Sequence, residues 1–215
     1  MTKPILLFSG GLDSTTLLWQ LKPNVKALIF NYGQRHVTEI DHASHLASKA
    51  GVEFEIADVR GISHLLAKGS QTGFQEVPEG HYAAENMKTT VVPNRNMIML
   101  AIAAGWAIST EAKSVYTAVH AGDHTIYPDC RPDFIQALGS AIHLGNWEHV
   151  KLIAPFVNSS KADIVKAGSY LKVPYELTWS CYKGKLLHCG KCGTCVERKE
   201  AFKLAGVEDP TQYEA

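Results

Sequence analysis

The 215-residue chain carries 21 Lys and Arg against 21 Asp and Glu, and 46% of its residues are hydrophobic. That is an ordinary globular composition, which excludes a disordered or collagen-like chain, and the balanced charge argues against holding nucleic acid by phosphate neutralisation alone. Only Ile5-Leu6-Leu7-Phe8 is apolar before Ser9, too short for a signal peptide or a membrane span, so the expected location is the cytoplasm, where thiols stay reduced.

Short apolar runs alternate with helical patterns along the chain. Residues 4–8 read as a buried strand and 15–21 as the helix after it. Residues 25–30 give a second strand, and 38–50 a second helix that Gly51 closes, with a third strand at 54–57. Residues 68–93 show no period, a length that is uncommon for a loop in a compact domain unless it serves function. A mostly buried helix follows at 96–110, then a strand at 115–119, a helix at 132–144, a strand at 150–154 and a helix at 161–171. This order predicts an α/β fold, a five-stranded parallel sheet with helices on both faces over residues 1–171. Residues 172–215 are expected to form a smaller segment packed on it. In such sheets ligands sit at the carboxyl ends of the strands, near the topological switch point, so chemistry is expected after Phe8, Asn31, Val119 and Ala154.

After the first strand comes Ser9-Gly10-Gly11-Leu12-Asp13-Ser14-Thr15. Two glycines let successive backbone N–H groups converge into an anion nest, and the helix N-terminus adds its partial positive charge. The turn has neither the lysine of a Walker loop nor a G-x-G-x-x-G pattern. Asp13 would repel a phosphate unless Mg²⁺ bridges the two, which points to a metal-bridged pyrophosphate. The plainer reading is a glycine turn with Asp or Ser as an N-cap.

Cys181, Cys189, Cys192 and Cys195 have the spacing C-x7-C-x2-C-x2-C, with Gly190 and Gly193 inside the turns. Such thiolates can close a tetrahedron on one structural Zn²⁺, leaving no open position for catalysis. An iron–sulfur cluster and reduced core thiols are the competing readings. His188 reads as a surface histidine and Cys130 as a buried bystander.

Ser-Gly-Gly-x-Asp-Ser at 9–14 resembles the PP-loop of the adenine-nucleotide alpha-hydrolase-like ATP pyrophosphatases. Four further segments are Asn31-Tyr32-Gly33-Gln34-Arg35-His36, Val92-Pro93-Asn94-Arg95-Asn96, Tyr127-Pro128-Asp129-Cys130-Arg131 and Thr178-Trp179-Ser180-Cys181-Tyr182. With the cysteines and Arg198, they resemble the 7-cyano-7-deazaguanine synthase (QueC) family from about Pro4 to Pro210. The resemblance implies 7-carboxy-7-deazaguanine, ammonia and ATP as substrates, Mg²⁺ with the ATP, and a homodimer with neither nucleic acid nor membrane as partner. Phe8, Ser9, Gly10, Gly11, Leu12, Asp13, Ser14, Thr15 and Thr16 are the expected ATP-binding turn. Asp13, Arg95 and Lys161 are the candidate catalytic groups, the two cations facing the charge of the departing pyrophosphate. A guanine-like base needs an acceptor for its N–H groups and a surface to stack on. Asp123, Asp129 and Tyr127 are placed to provide them, with Arg131 for the substrate carboxylate; Asp129 capping the helix at Pro132 is the rival reading.

Asn94 stands where many members have glycine, and Ala121-Gly122-Asp123-His124-Thr125-Ile126 differs from the commoner acidic version. Both leave open a product that stops at the amide. A tRNA-modifying thiolase is the other alternative; it would need a basic stripe and a reactive cysteine.

Overall fold

A computed structural model describes residues 2–34, 38–66, 70, 76–81, 84–183 and 186–214. Arg35 and His36, and much of 68–83, lie outside the described residues.

Five strands, β1 (Ile5–Leu7), β2 (Lys26–Asn31), β3 (Phe54–Asp58), β4 (Ser114–Tyr116) and β5 (Lys151–Ile153), form one sheet in the order β3-β2-β1-β4-β5. Every neighbouring pair is parallel, with Leu6 opposite Ala27 and Tyr116. Side chains alternate across the pleat. Leu6, Phe8, Ala27 and Ile29 pack into one apolar layer, and Ile5, Leu28 and Phe30 into the other. The first layer is completed by α1 (Leu12–Leu21), α2 (Thr38–Lys49), α5 (Lys161–Tyr170) and α6 (Gly193–Ala205). The second is completed by α3 (Arg95–Ser109) and α4 (Pro132–Leu144). The expected parallel sheet with helices on both faces is therefore present. Strand β3 lies at an edge, where Glu55 and Ile56 are exposed.

Two departures from the expected elements matter for the site. Helix α1 begins at Leu12 rather than 15, with Gly11 as its N-cap, so the glycine turn and the first helical turn are one structure. Asp13 lies in that first turn, where the helix dipole favours a carboxylate. Gly10 has φ +75°, and a Cβ there would lie 2.9 Å from the Ala43 backbone, so α2 packs directly on the turn.

The second departure is α6, which the pattern did not reveal. Its buried positions Cys195, Arg198, Ala201 and Phe202 recur at helical spacing, and Gly206 closes it at φ +68°. A cysteine and an arginine on the inner face hid the period. Ala201 and Phe202 join the core of the α1–α5 layer, so Phe202 is an interior residue, whereas Trp147 is 97% exposed. Among the described residues no helix is long and apolar enough to cross a membrane.

Candidate active site and metal centre

Strand β1 leads to β2 and β3 on one side, while β4 and β5 lie on its other side. The gap at the carboxyl ends of β1 and β4 is therefore the switch point. A cavity of about 230 Å³ opens there. Its wall takes Phe8, Ser9, Gly11, Asp13 and Ser14 from the glycine turn, and Asp123, Tyr127 and Cys130 from the loop after β4. Lys161 enters from α5, and Trp179, Ser180, Cys181 and Tyr182 from the cysteine segment. Leu12 lines it too, but Gly10, Thr15 and Thr16 do not: Thr16 Oγ1 donates to Leu12 O at 2.9 Å and meets Tyr175 Oη at 2.9 Å behind the helix.

The turn is braced from within. Ser9 and Ser14 hydroxyls are 3.1 Å apart, and Gly11 N–H donates to Ser9 Oγ at 3.3 Å. Trp179 N–H donates to Gly10 O at 3.1 Å, which ties the cysteine segment over the turn.

Asp13, His120, Asp123, Lys161 and Glu197 converge behind the turn. Lys161 Nζ is 3.3 Å from Asp13 Oδ2 and 2.6 Å from Glu197 Oε2. His120 Nε2 is 3.7 Å from Asp13 and 3.5 Å from Asp123. Gly122 N–H donates to His120 Nδ1 at 3.1 Å, so a neutral His120 carries its proton on Nε2, facing the two carboxylates. Burial disfavours the Lys161 ammonium, but Asp13, Glu197 and Asp123 outweigh it and hold its pKa above the usual lysine value. Burial raises the Glu197 carboxyl, against Lys161 and His120. Asp13 Oδ1 is buried with no hydrogen-bond partner, which suits a carboxylate that receives a hydrated cation such as Mg²⁺. Sequence reasoning did not single out His120 or Glu197; the second lay in the unrecognised helix.

Arg95 opens α3, with its guanidinium carbon 6.0 Å from the Tyr127 ring centroid. Burial opposes its charge, but Tyr32, Tyr182, Tyr127 and Asp129 hold it protonated. Asn94, the N-cap before it, has φ 53°. Asn tolerates this left-handed conformation, so it fills a position that suits glycine. Asp129 faces the same helix end: its Oδ2 accepts from Asn96 N–H at 3.1 Å. It thus caps α3, not the helix at Pro132, and does not line the cavity. Arg131 is exposed, donating from Nε to His124 O at 2.8 Å, and is likewise outside the wall. Cys130 is buried, and burial pushes its thiol pKa up, so it stays protonated.

Tyr32, Gln34 and Glu39 complete the cavity on the β2 side. Gln34 folds back, its Nε2 donating to Phe30 O at 3.1 Å while its Oε1 accepts from Tyr32 N–H at 3.0 Å. Burial, only partly offset by Arg95 and Gln34, pushes Glu39 up to about 7 from an ordinary 4.5. Between those values the folded chain holds a proton that the unfolded chain has released, so this stabilisation is complete below the unfolded value and is lost as pH rises through the folded one. Glu39→Gln cannot ionise. Its melting temperature relative to wild type is expected to climb between about pH 5 and about pH 8, measured by thermal scans at both; a constant difference would refute the buried carboxyl.

The four cysteines of the C-terminal segment are all buried, with their Sγ atoms within 4.8 Å of one another. Lys183 N–H and Cys189 N–H each donate to Cys181 Sγ at 3.4 Å, and Lys191 and Cys192 N–H donate to Cys189 Sγ at 3.4 and 3.2 Å. Such donors offset the negative charge that thiolates bring to a metal. The close spacing fits one tetrahedral ion, whereas a cubane would spread the thiolates over separate irons. His188 is not a surface residue: it is buried, lies tilted against Trp179 with ring centroids 4.5 Å apart, and accepts from Ser180 N–H at 3.2 Å. Burial lowers its pKa to about 4, so it is neutral.

Arg198, fully buried on α6, locks this segment. It donates to Thr211 Oγ1 at 2.6 Å, Thr178 Oγ1 at 2.8 Å, Ser180 Oγ at 3.2 Å and Tyr175 O at 2.8 Å. Arg198→Met keeps the volume but removes four charge-assisted bonds. A loss of about 3 kcal/mol is expected from urea unfolding, and an unchanged midpoint would contradict this role.

A parallel sheet with a glycine turn at its switch point, facing a lysine and an acidic cluster, defines a PP-loop nucleotide-binding protein. Residues 3–206 match the family model described as queuosine biosynthesis protein QueC, and the chain belongs to that family. It is 47% identical over 216 residues to 7-cyano-7-deazaguanine synthase of Marinomonas sp., covering 99% of each chain. It is 52% identical over 217 residues to the Brucella ovis protein of the same name, covering 99% of this chain and 94% of that one. Among solved structures it is similar to NMN synthetase from Francisella tularensis, at TM-score 0.53 and 14% identity over 96% of this chain and 78% of that one. It is also similar to the U34-tRNA thiolase NcsA from Methanococcus maripaludis with its 4Fe-4S cluster, at TM-score 0.51 and 14% identity over 95% and 67%. These last two establish the fold alone.

Proposed function

We propose that the chain is a 7-cyano-7-deazaguanine synthase of queuosine-type 7-deazapurine biosynthesis, a ligase that uses ATP to join ammonia to 7-carboxy-7-deazaguanine. The carrying observation is the cavity at the β1–β4 switch point, where the glycine turn, Asp13 and Lys161 meet in a chain of the QueC family. A carboxylate is a poor electrophile, so its oxygen first attacks the α-phosphorus of ATP, breaking the bond to pyrophosphate. Ammonia then attacks the carbonyl carbon, loses a proton, and AMP leaves, giving the amide. The amide oxygen then attacks the α-phosphorus of a second ATP, releasing pyrophosphate; two N–H protons are lost, the C–O bond breaks with AMP, and the nitrile remains.

In this reading the backbone N–H groups from Ser9 to Ser14 cradle phosphate, and Lys161 and Arg95 meet the charge that develops on pyrophosphate. Mg²⁺, held by Asp13, supplies further charge neutralisation for the phosphates. Asp123 is the acceptor for the N–H groups of the base, with Tyr127 as its stacking surface. The partly buried position of Asp123 on the cavity wall supports this role. Asp129 and Arg131 act from behind the wall rather than on the substrate. The metal at Cys181, Cys189, Cys192 and Cys195 is one structural Zn²⁺ per chain. We also infer a nucleotide-binding domain over residues 1–171, a metal segment over 172–215 packed on it, a cytoplasmic homodimer, and no nucleic-acid partner.

The test is incubation with ATP, Mg²⁺, ammonium and 7-carboxy-7-deazaguanine. Substrate-dependent AMP and pyrophosphate, with the nitrile found by mass spectrometry, are expected. Accumulation of the amide alone would make the chain a relative that stops one step earlier. No substrate-dependent AMP release would sink the proposal.

A further inference from the structure

Glu197 does not line the cavity, yet it makes a short contact to a residue that does. Its Oε2 lies 2.6 Å from Lys161 Nζ, and both side chains are nearly buried, at 12% and 14% exposure. Its other oxygen is held close: a Cβ at Gly122 would come within 2.9 Å of Glu197 Oε1. Lys161 is thereby suspended between two carboxylates, Glu197 behind it and Asp13 in front at 3.3 Å, with His120 Nε2 at 3.4 Å to one side. A lysine side chain has four rotatable bonds, and an ammonium held only from the front would swing with whatever anion occupied the turn.

The position of Glu197 follows from the metal segment. Helix α6 has Cys192 as its N-cap and Cys195 in its first turn, so the cysteine cluster sets where the helix starts and which way it faces. Two residues after Cys195, Glu197 points to Lys161; one residue further, Arg198 points into the 175–180 segment. The α5 and α6 helices pack against each other, with Ile164 and Val165 sharing a core with Ala201 and Phe202, and Lys161 opens α5.

We propose that Glu197 is a positioning residue for Lys161, delivered by the metal-bearing helix, and that through it the cysteine centre sets the geometry of the nucleotide site. The proposal rests on the reading of Lys161 as the cation that meets the phosphates.

The test is a cycle of Glu197→Ala, Lys161→Ala and the double variant, each with metal content and melting checked, read as kcat and KM for ATP-dependent AMP release. Glu197→Ala is expected to lower kcat about 10- to 100-fold with a smaller change in KM for the carboxylate substrate, since misplacing a reacting cation acts on the transition state. In the Lys161→Ala background the same change is expected to cost less than about 2-fold, because Glu197 acts only through Lys161. Equal losses in both backgrounds, or no loss beside intact Lys161, would overturn it. Full activity of Lys161→Ala alone would instead sink the assignment of Lys161. Should the alanine chain fail to fold, Glu197→Gln carries the same cycle. It keeps the volume and an acceptor oxygen but not the charge, and the same two outcomes would refute the proposal.

Discussion

Cys192→Ser is expected to cost the chain its metal and its C-terminal order together. A structural Zn²⁺ supplies about 10–16 kcal/mol of apparent binding energy to a small module, while a whole domain is stable by only about 5–15 kcal/mol. The segment has little else to replace it. Its apolar cluster consists of Trp179, the four cysteines and the flanking Val77, Tyr182 and Tyr213. Losing one thiolate leaves three buried sulfurs whose mutual repulsion, or protonation, works against closure. The ion should therefore fall to sub-stoichiometric levels by metal analysis, and residues 178–214 should become sensitive to limited proteolysis. The opposite layer, formed by α3 and α4 on the sheet, should retain its amide protection, because its contacts lie outside the segment. Activity should disappear even so, since Trp179, Ser180, Cys181 and Tyr182 wall the cavity. A variant that melts like wild type would show that the cysteines are only core thiols. A brown, iron-bearing wild type would replace zinc with a cluster.

Lys161→Ala is expected to lower kcat for adenylation by about 10²–10³-fold, the usual loss when one preorganised charge is taken from a transition state. KM for 7-carboxy-7-deazaguanine should move far less, because the ammonium faces Asp13 and the glycine turn. The variant has a second consequence. Glu197, whose carboxyl burial already raises against the pull of Lys161, loses that opposing cation. Its folded pKa rises further above the unfolded one, so the stability of the variant relative to wild type should fall as pH rises through the neutral range. Thermal scans at about pH 5.5 and pH 8 read this sign. A kcat within about 3-fold of wild type would remove Lys161 from the chemistry.

Much of this site could be read along the chain because its parts are local. Ser9 to Ser14 are consecutive, so the whole glycine turn between an apolar strand and a helix could be read as one local pattern. The four cysteines sit within fifteen residues, so spacing alone pointed to their sulfurs meeting in one place. The partners of Lys161 were not legible, because Asp13, His120 and Glu197 come from three separate parts of the chain. Helix α6 escaped notice because Arg198, a charged residue, occupies an inward position that the hydrophobic period would assign to an apolar one. His188 misled for the same reason: a polar ring buried against Trp179 looks like a surface residue until its hydrogen bond to Ser180 is known. Asp129 was legible as a cap but not as a cap of the right helix. The N-terminus of α3 lies beside it only after the chain has folded.

The sequence by itself determined the alternating α/β order, the glycine turn after the first strand and the grouping of the four cysteines, since each depends on near neighbours. Only the tertiary structure decided which carboxylates surround Lys161, that Arg95 is walled in by tyrosines, and that the C-terminal helix reaches back to the nucleotide site. Those are contacts between segments far apart in the chain. Their pairing follows from how sheet and helices pack, and no local pattern of residues encodes it.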